Sequence, residues 1–394
     1  MEGRDTATTF FAVTAPGLEE LVAAELRDLD IAGVVERGGV SWSGPLGTMY
    51  LASLHLRTAS RILVRVSEFK ARSFIELERH LRRIDWTPFV GSSGGVRLRV
   101  TSRKSRLYHQ GAIEERFARE IGGALGMEVG TSGGRRDDED DSSDAENEAQ
   151  LFVVRFHRDR CLVSADSSGA LLHRRGYRRA VARAPLRETL AAAVLLASGW
   201  TPDQPLLDPL CGSGTIPIEG ALLARRIPPP MANPTHAPRG FAFQHWPDFD
   251  PSFWDRIVGA ARAAIRHDAP AALLGSDRDA GAIEAAWGNA RRAGVEADVH
   301  FDTRPLSAIE ATPTKGWLIS NPPYGVRVGE RRDLRNLYAS LGNLFRSRLS
   351  DWNTALIAAD DSLLREVGGP FAEVLRTRNG GIPVKVVVGR PGSR

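Results

Sequence analysis

Leu206-Leu207-Asp208-Pro209-Leu210-Cys211-Gly212-Ser213-Gly214-Thr215 reads as an apolar strand ending in a glycine-rich turn, with a helix opening near Ile216. Glycines two apart let the backbone bend tightly and let a ligand approach without meeting a Cβ. The new helix aims its unpaired N–H groups and the positive end of its dipole at the same place. Farther along, Leu318-Ile319-Ser320 runs into Asn321-Pro322-Pro323-Tyr324. The two prolines stop this second apolar strand, because neither can donate to a sheet ladder. Ligands of open α/β sheets bind beyond the carboxyl ends of strands, where both pieces lie.

The glycine turn is not a dinucleotide fingerprint, since Pro217 stands where a third glycine would be, and it lacks the Lys-Ser/Thr pair of a phosphate loop. Taken singly, it reads equally as a structural turn, and the Pro-Pro pair as a strand stop. Asp277 and Asp302 end the next two strands. Each aspartate is either an N-cap of the following helix or a ligand for a nucleoside, Asp277 for ribose hydroxyls and Asp302 for an adenine amine. Their succession beside the glycine turn favours ligands.

Composition sets the bounds. A chain of 394 residues, 42% apolar, suffices for two or three domains with full cores. It has no run of eighteen apolar residues, and Met1-Glu2-Gly3-Arg4-Asp5 does not begin a signal peptide, so a cytoplasmic protein with no membrane span is expected. Two cysteines, Cys161 and Cys211, argue against a disulfide framework and a cysteine-rich metal site. The net charge is only +4, and arginine dominates: lysine occurs only at positions 70, 104, 315 and 385.

Residues 1–70 read as a small α+β module, with strands at 8–13, 33–36, 39–42 and 61–69 and helices at 18–29 and 45–54. A second module spans 71–170, with helices at 73–83 and 110–125 and strands at 96–101, 151–157 and 161–166. Between residues 96 and 112 stand Arg97, Arg99, Arg103, Lys104 and Arg106 with no acid, and Tyr108 and His109 lie beside them. Cations for phosphate plus rings for stacking suit a nucleic-acid surface, and a solvated basic face is the equal alternative. Eight acids between Asp137 and Glu148 mark residues 131–150 as a disordered acidic insertion. Residues 173–187 carry six arginines, including Arg174, Arg175 and Arg178, around Tyr177. From 171 to 394 strands and helices alternate as in a doubly wound parallel sheet. The alternation is interrupted at 228–251 by a long polar excursion holding Phe241, Phe243, His245 and Trp246, whose rings either pin the loop or stack on bases; pinning is favoured.

Asn-Pro-Pro-Tyr after the glycine turn resembles the S-adenosylmethionine-dependent methyltransferases that modify exocyclic base amines. Such an amine is a poor nucleophile, because its lone pair is delocalised into the ring. Asn321 Oδ1 and the Pro322 carbonyl would accept its two hydrogens and aim the nitrogen at the methyl group, while Tyr324 offers a stacking face. No strong base is motif-placed, and Cys211 in the turn disfavours a covalent base adduct.

The whole order of motifs resembles the THUMP-containing RNA guanine-N2 methyltransferases. It comprises the N-terminal module, the basic second module, His173 to Arg178, Ala184 to Ala191, the Asp208 motif, Gly275-Ser276-Asp277 and Asn321 to Gly325. The resemblance implies an α/β protein with a Rossmann-like class I methyltransferase sheet, seven-stranded with an antiparallel last strand, behind ferredoxin-like and THUMP RNA-binding domains. It implies S-adenosylmethionine at Leu186, Asp208, Gly212, Gly214, Asp277 and Asp302, with catalysis at Asn321, Pro322 and Tyr324 and no metal. Arg103, Lys104, Arg106, Tyr108, Arg174, Arg175 and Arg178 would meet structured RNA, 23S rRNA or tRNA. The acidic insertion departs from the family pattern, and no second methyltransferase domain like that of fused bacterial members is expected. The alternatives are N6-adenine methylation of RNA or DNA and a non-catalytic RNA-binding assembly factor.

Overall fold

The computed structural model describes residues 8–91, 94–130, 149–178, 186–310, 315–324 and 331–391. Residues 131–148 of the acidic stretch, Arg179, Arg183, Pro185 and Gly325 lie outside the described residues.

The first half builds one sheet of seven strands. The β-branched, aromatic β1 (Thr8–Thr14) pairs antiparallel with β3 (Gly39–Gly44) and β4 (Ala59–Lys70), and β2 (Val34–Glu36) extends the edge past β3. Helices α1 (Glu19–Arg27) and α2 (Leu46–His55) connect them. β4 also pairs with β7 (Arg160–Asp166), which pairs with β6 (Gln150–His157); β6 in turn lies parallel to β5 (Val96–Arg103). The order is β2-β3-β1-β4-β7-β6-β5, so the sheet runs on through residue 70 and β4 serves both of its sides. Helix α3 (Phe74–Leu81) begins where the Ser73 hydroxyl accepts from the Glu76 amide, and α4 (Gln110–Leu125) ends at Gly126.

The second half carries the doubly wound sheet. Its strands are β8 (Leu206–Asp208), β9 (Leu273–Asp277), β10 (Val299–Thr303), β11 (Trp317–Ser320), β12 (Asn353–Ala358), β13 (Ala372–Asn379) and β14 (Ile382–Gly389). The order is β10-β9-β8-β11-β12-β14-β13, with β14 antiparallel to both neighbours and the first five strands parallel. This is the class I methyltransferase sheet. Its helices are α5 (Glu188–Ser198), α6 (Thr215–Ala224), α7 (Pro251–Ala263), α8 (Ala280–Ala293), α9 (Arg331–Ser347) and α10 (Asp361–Val367). α8 shows the local logic. Asp279 caps its start, Ile283, Ala286, Ala290 and Ala293 are buried at helical spacing, and Gly294 closes it with φ +71°. From β8 the chain builds outward to β9 and β10, then crosses to β11, so the switch point lies between the ends of β8 and β11. Among the described residues no helix is long and apolar enough to cross a membrane.

Two clusters join the halves. The excursion at 228–251 is pinned, as its rings suggest: Phe241, Phe243 and Trp246 are buried. Phe243 stacks on Tyr50 of α2 at 4.7 Å, and the Trp246 indole donates to Gln150 Oε1 at 2.7 Å. The second cluster corrects an expectation. Arg175 is no RNA ligand: its side chain is 1% exposed and forms an ion pair with the fully buried Glu219 of α6. Its other nitrogen donates to the Arg57 carbonyl at 2.8 Å, while Arg57 donates to the Ile227 carbonyl at 2.7 Å and the Tyr177 hydroxyl to Glu219 at 2.8 Å. Arg178 likewise turns inward, onto Glu188 at 3.2 Å and the Leu186 carbonyl at 3.0 Å. Within a run that reads as a basic surface, Arg175 and Arg178 serve instead as staples, since their acidic partners lie elsewhere in the sequence.

Removing one partner of a buried pair leaves the other charge unpaired in a dry interior, which costs about 3–5 kcal/mol. Glu219→Ala should therefore lower the unfolding free energy by that order, read as a shift in the urea midpoint.

Candidate active site

The glycine turn is fixed from three sides. Strand β8 delivers Asp208, whose Oδ1 accepts from the Leu210 amide at 3.2 Å and the Ser320 hydroxyl at 2.6 Å. The Cys211 amide donates to the Ser276 carbonyl at 2.9 Å, tying the turn to the end of β9. From α8, the buried Asn289 amide donates to the Ser213 carbonyl at 3.0 Å. Gly212 and Gly214 sit at φ +51° and +82°. A Cβ at Gly214 would stand 2.8 Å from the Phe301 ring, whereas one at Gly212 would meet nothing within 4 Å. The backbone is thus tight against the sheet at Gly214 and open toward a ligand at Gly212. No side chain caps α6, so its first amides keep their donors for something else.

Asp277 reaches this turn: its Oδ2 accepts from the Gly212 amide at 3.0 Å and its Oδ1 from the Asp279 amide at 3.1 Å. Asp302 does not. Its carboxylate faces Arg304 at 2.6 Å and His300 at 3.2 Å. Leu186 is buried, with its carbonyl held by Arg178.

Across the switch point, β11 ends at Ser320, and its bond to Asp208 brings Asn321-Pro322-Pro323-Tyr324 beside the glycine turn. Asn321 is half-buried, and among the described residues its buried Oδ1 has no hydrogen-bond partner. A stranded acceptor costs about 1–3 kcal/mol, and this one, beside the glycine turn, is available to a donor from a ligand. Pro322 is buried, and the half-buried Tyr324 hydroxyl accepts from Asn379 of β13 at 2.6 Å. Sequence reasoning missed Asn379 and Asn289; both act across long sequence separations, and neither lies in a motif.

Burial pushes the Asp208 carboxyl up to about 7, with the Asp277 charge adding to it against the hydrogen bonds from Ser320 and Leu210. Burial, helped by Asp208 and Asp277, holds the Cys211 thiol far above its usual range, so no thiolate nucleophile is available there.

The loop after β5 is an exposed basic feature. Arg103, Lys104, Arg106 and Tyr108 all face solvent, Tyr108 at 67%, with its ring 4.3 Å from that of His109. The Arg106 amide on Asp159 at 2.8 Å and the Ser102 hydroxyl on the Leu107 carbonyl at 2.6 Å hold the loop in shape. Among the described residues no acid pairs with Arg103, Lys104 or Arg106. On the same stretch of sheet, Arg155 and His157 stand opposite Thr101 and Arg103. Arg174 is half-buried and already engaged within the protein.

Residues 175–385 match the model of the RMKL-like methyltransferase domain, and residues 9–63 match the RlmL ferredoxin-like domain. The chain belongs to the RMKL-like methyltransferase family. A Synechocystis sp. protein named for a suspected RNA methyltransferase activity is 34% identical to this methyltransferase across 96% of the chain and 95% of that protein. The ribosomal RNA large subunit methyltransferase K/L of Syntrophotalea carbinolica is 35% identical across 97% of the chain, which spans 53% of that longer protein. Among solved structures, the methyltransferase-like protein SMU.472 in complex with S-adenosylhomocysteine superposes with a TM-score of 0.84 at 28% identity, covering 98% of each chain. S-adenosylmethionine is the cofactor of this methyltransferase. The open backbone at Gly212 and the uncapped start of α6 fit it, and so does the strand-end carboxylate of Asp277.

The direction of the Asp208 shift gives a test. The folded value of about 7 exceeds the ordinary 3.8, so the folded protein keeps a proton that the unfolded chain releases. That stabilisation is complete below about pH 4 and is lost as pH rises to about 7. Asp208→Asn abolishes this dependence. Relative to the unaltered protein, its unfolding free energy should rise between pH 4 and pH 8 by a few kcal/mol, since each tenfold change in proton affinity is worth about 1.4 kcal/mol. Parallel pH profiles in urea denaturation would mean that Asp208 is already ionised in the fold.

Proposed function

We propose that this methyltransferase transfers a methyl group from S-adenosylmethionine to the exocyclic N2 amine of a guanosine in structured RNA, 23S rRNA or tRNA. The observation that carries the reading is the buried Oδ1 of Asn321, which has no partner among the described residues and lies one residue beyond the Ser320–Asp208 bond, beside the glycine turn.

Bound S-adenosylmethionine would supply an electrophilic methyl group on a sulfonium centre. Asp277 and the backbone at Gly212 and Gly214 are the residues to hold it, and Asp208, Leu186 and Asp302 are kept as further candidates. Asn321 Oδ1 and the Pro322 carbonyl accept the two amine hydrogens, which fixes the nitrogen with its lone pair toward the methyl group. This is catalysis by positioning, and no strong base is needed. Tyr324 gives the flipped base a ring to stack on. Choosing guanine N2 follows the family resemblance; the same two acceptors would serve adenine N6.

RNA as substrate is supported by the name of the Syntrophotalea relative and by the exposed Arg103, Lys104, Arg106 and Tyr108 loop. We assign residues 1–70 to a ferredoxin-like region, 71–170 to a THUMP-like RNA-binding module and 171–394 to the methyltransferase. An RNA target of this kind puts the enzyme in the cytoplasm. Arg174 stays a candidate contact at the edge of the junction.

Nucleoside mass spectrometry of rRNA and tRNA from cells with and without the gene should show loss of N2-methylguanosine; loss of N6-methyladenosine instead would move the assignment. In the purified protein, Asn321→Ala should abolish transfer while leaving S-adenosylmethionine affinity within a few fold in calorimetry. Replacing Arg103, Lys104 and Arg106 together should weaken RNA binding and reduce its salt slope by up to about 3, since each phosphate contact contributes about 1. An unchanged slope would remove the loop from the interface.

A further inference from the structure

The β13–β14 hairpin turns through Gly380-Gly381, with Asn379 paired to Ile382 and Gly380 at φ +58°. Pairing of β14 with β12 stops at Ala358 opposite Lys385. Ile382, Pro383 and Val384, with their partners Thr377, Arg378 and Asn379, therefore overhang the carboxyl edge of the parallel strands, the edge on which Asn321 lies. From this overhang Asn379 Nδ2 donates to the Tyr324 hydroxyl at 2.6 Å. Tyr324 is also half-buried against the core, and burial raises its pKa, so the phenol stays neutral. A neutral phenol oxygen engaged by an amide is not a proton acceptor for the reaction. It is a point by which the ring is held.

We propose that Asn379 is a positioning residue for methyl transfer, clamping the Tyr324 ring at the tilt on which the acceptor base stacks. The inference rests on the reading of Tyr324 as the base-stacking residue. Pro322 and Pro323 fix the backbone leading to Tyr324, but a ring still turns about its own side-chain bonds unless its far end is tied. The Asn379 amide is that tie, and it comes from the hairpin, not from the strand-end motif. Small errors in the placement of a reacting group cost large factors in rate, so the clamp acts on the chemical step and leaves cofactor binding alone.

The test uses the full chain in excess over total RNA from cells lacking the gene, with S-adenosylmethionine carrying a tritiated methyl group. Single-turnover labelling then reads the chemical step. Asn379→Leu and Tyr324→Phe should each slow labelling tenfold or more. The double variant should be no slower than either, because both remove the same bond. Asn379→Asp, whose carboxylate accepts from the phenol, should restore most of the rate. Calorimetric S-adenosylmethionine affinity should stay unchanged in all four, each of which should still unfold in one cooperative thermal transition. Labelling by Asn379→Leu at the unaltered rate, losses that multiply in the double variant, or an Asn379→Asp protein as slow as Asn379→Leu would each overturn the clamp. An unaltered protein that labels no RNA would instead overturn the proposed function, and the clamp with it.

Discussion

Asp208 has its carboxyl group sealed between the ends of β8 and β11, and hydrogen bonds from the Ser320 hydroxyl and the Leu210 amide replace the water it has lost. Everything at the catalytic edge is referred to this point. The bond to Ser320 fixes where Asn321 begins, and the turn that starts at Asp208 fixes where the Gly212 amide meets Asp277. A buried acid is an expensive way to join two strands that already lie side by side, and an apolar pair would hold them at lower cost. What the acid adds is a common origin for two loops from distant parts of the sequence. Its cost to stability stands beside that of the Asn321 oxygen at the neighbouring strand end, which has no partner among the described residues.

The first half of the molecule is joined to this edge by stiff connections. One sheet runs from β2 to β5 without interruption, the Arg175–Glu219 pair locks α6 to the chain that leaves β7, and the ring cluster around Tyr50 and Phe243 closes the other flank. The exposed loop of Arg103 to Tyr108 belongs to the half that these contacts fasten to the methyltransferase sheet. On the proposed reading of that loop as the RNA contact, such an arrangement would select a substrate by its three-dimensional shape, because the target nucleotide and the contacted phosphate must be reached together.

The sequence is most legible where one short stretch carries its own geometry. The Asp208 turn and the Asn321 stop are such stretches: glycine and proline restrict the backbone whatever surrounds them, so motif, strand ends and sheet class follow from local chemistry. Arginines carry no such instruction. Arg175 and Arg178 look like Arg103 and Arg106 in the sequence, and only Glu219 and Glu188, met after folding, draw the first two inward. Asp302 shows the same limit, since its place at a strand end is evident in the sequence but its engagement by Arg304 and His300 is not. Asn379 sits in a hairpin turn that sequence identifies readily, yet its partner lies 55 residues away. Continuity of the first sheet is hidden for a related reason, because nothing in the residues of β4 announces that a strand serves two modules.

Gln150 marks where the chain re-enters the first sheet after the acidic stretch, and it is fastened on arrival. Its side-chain amide donates to the Leu151 and Asp166 carbonyls at 2.9 and 3.0 Å, its oxygen accepts from the Trp246 indole, and its backbone amide bonds to the Gly95 carbonyl at 2.8 Å. A strand anchored at its first residue keeps its register whatever length of chain leads to it. Changing the length or charge of the sequence ahead of Gln150 should therefore leave the register of β6, and the sheet it belongs to, in place.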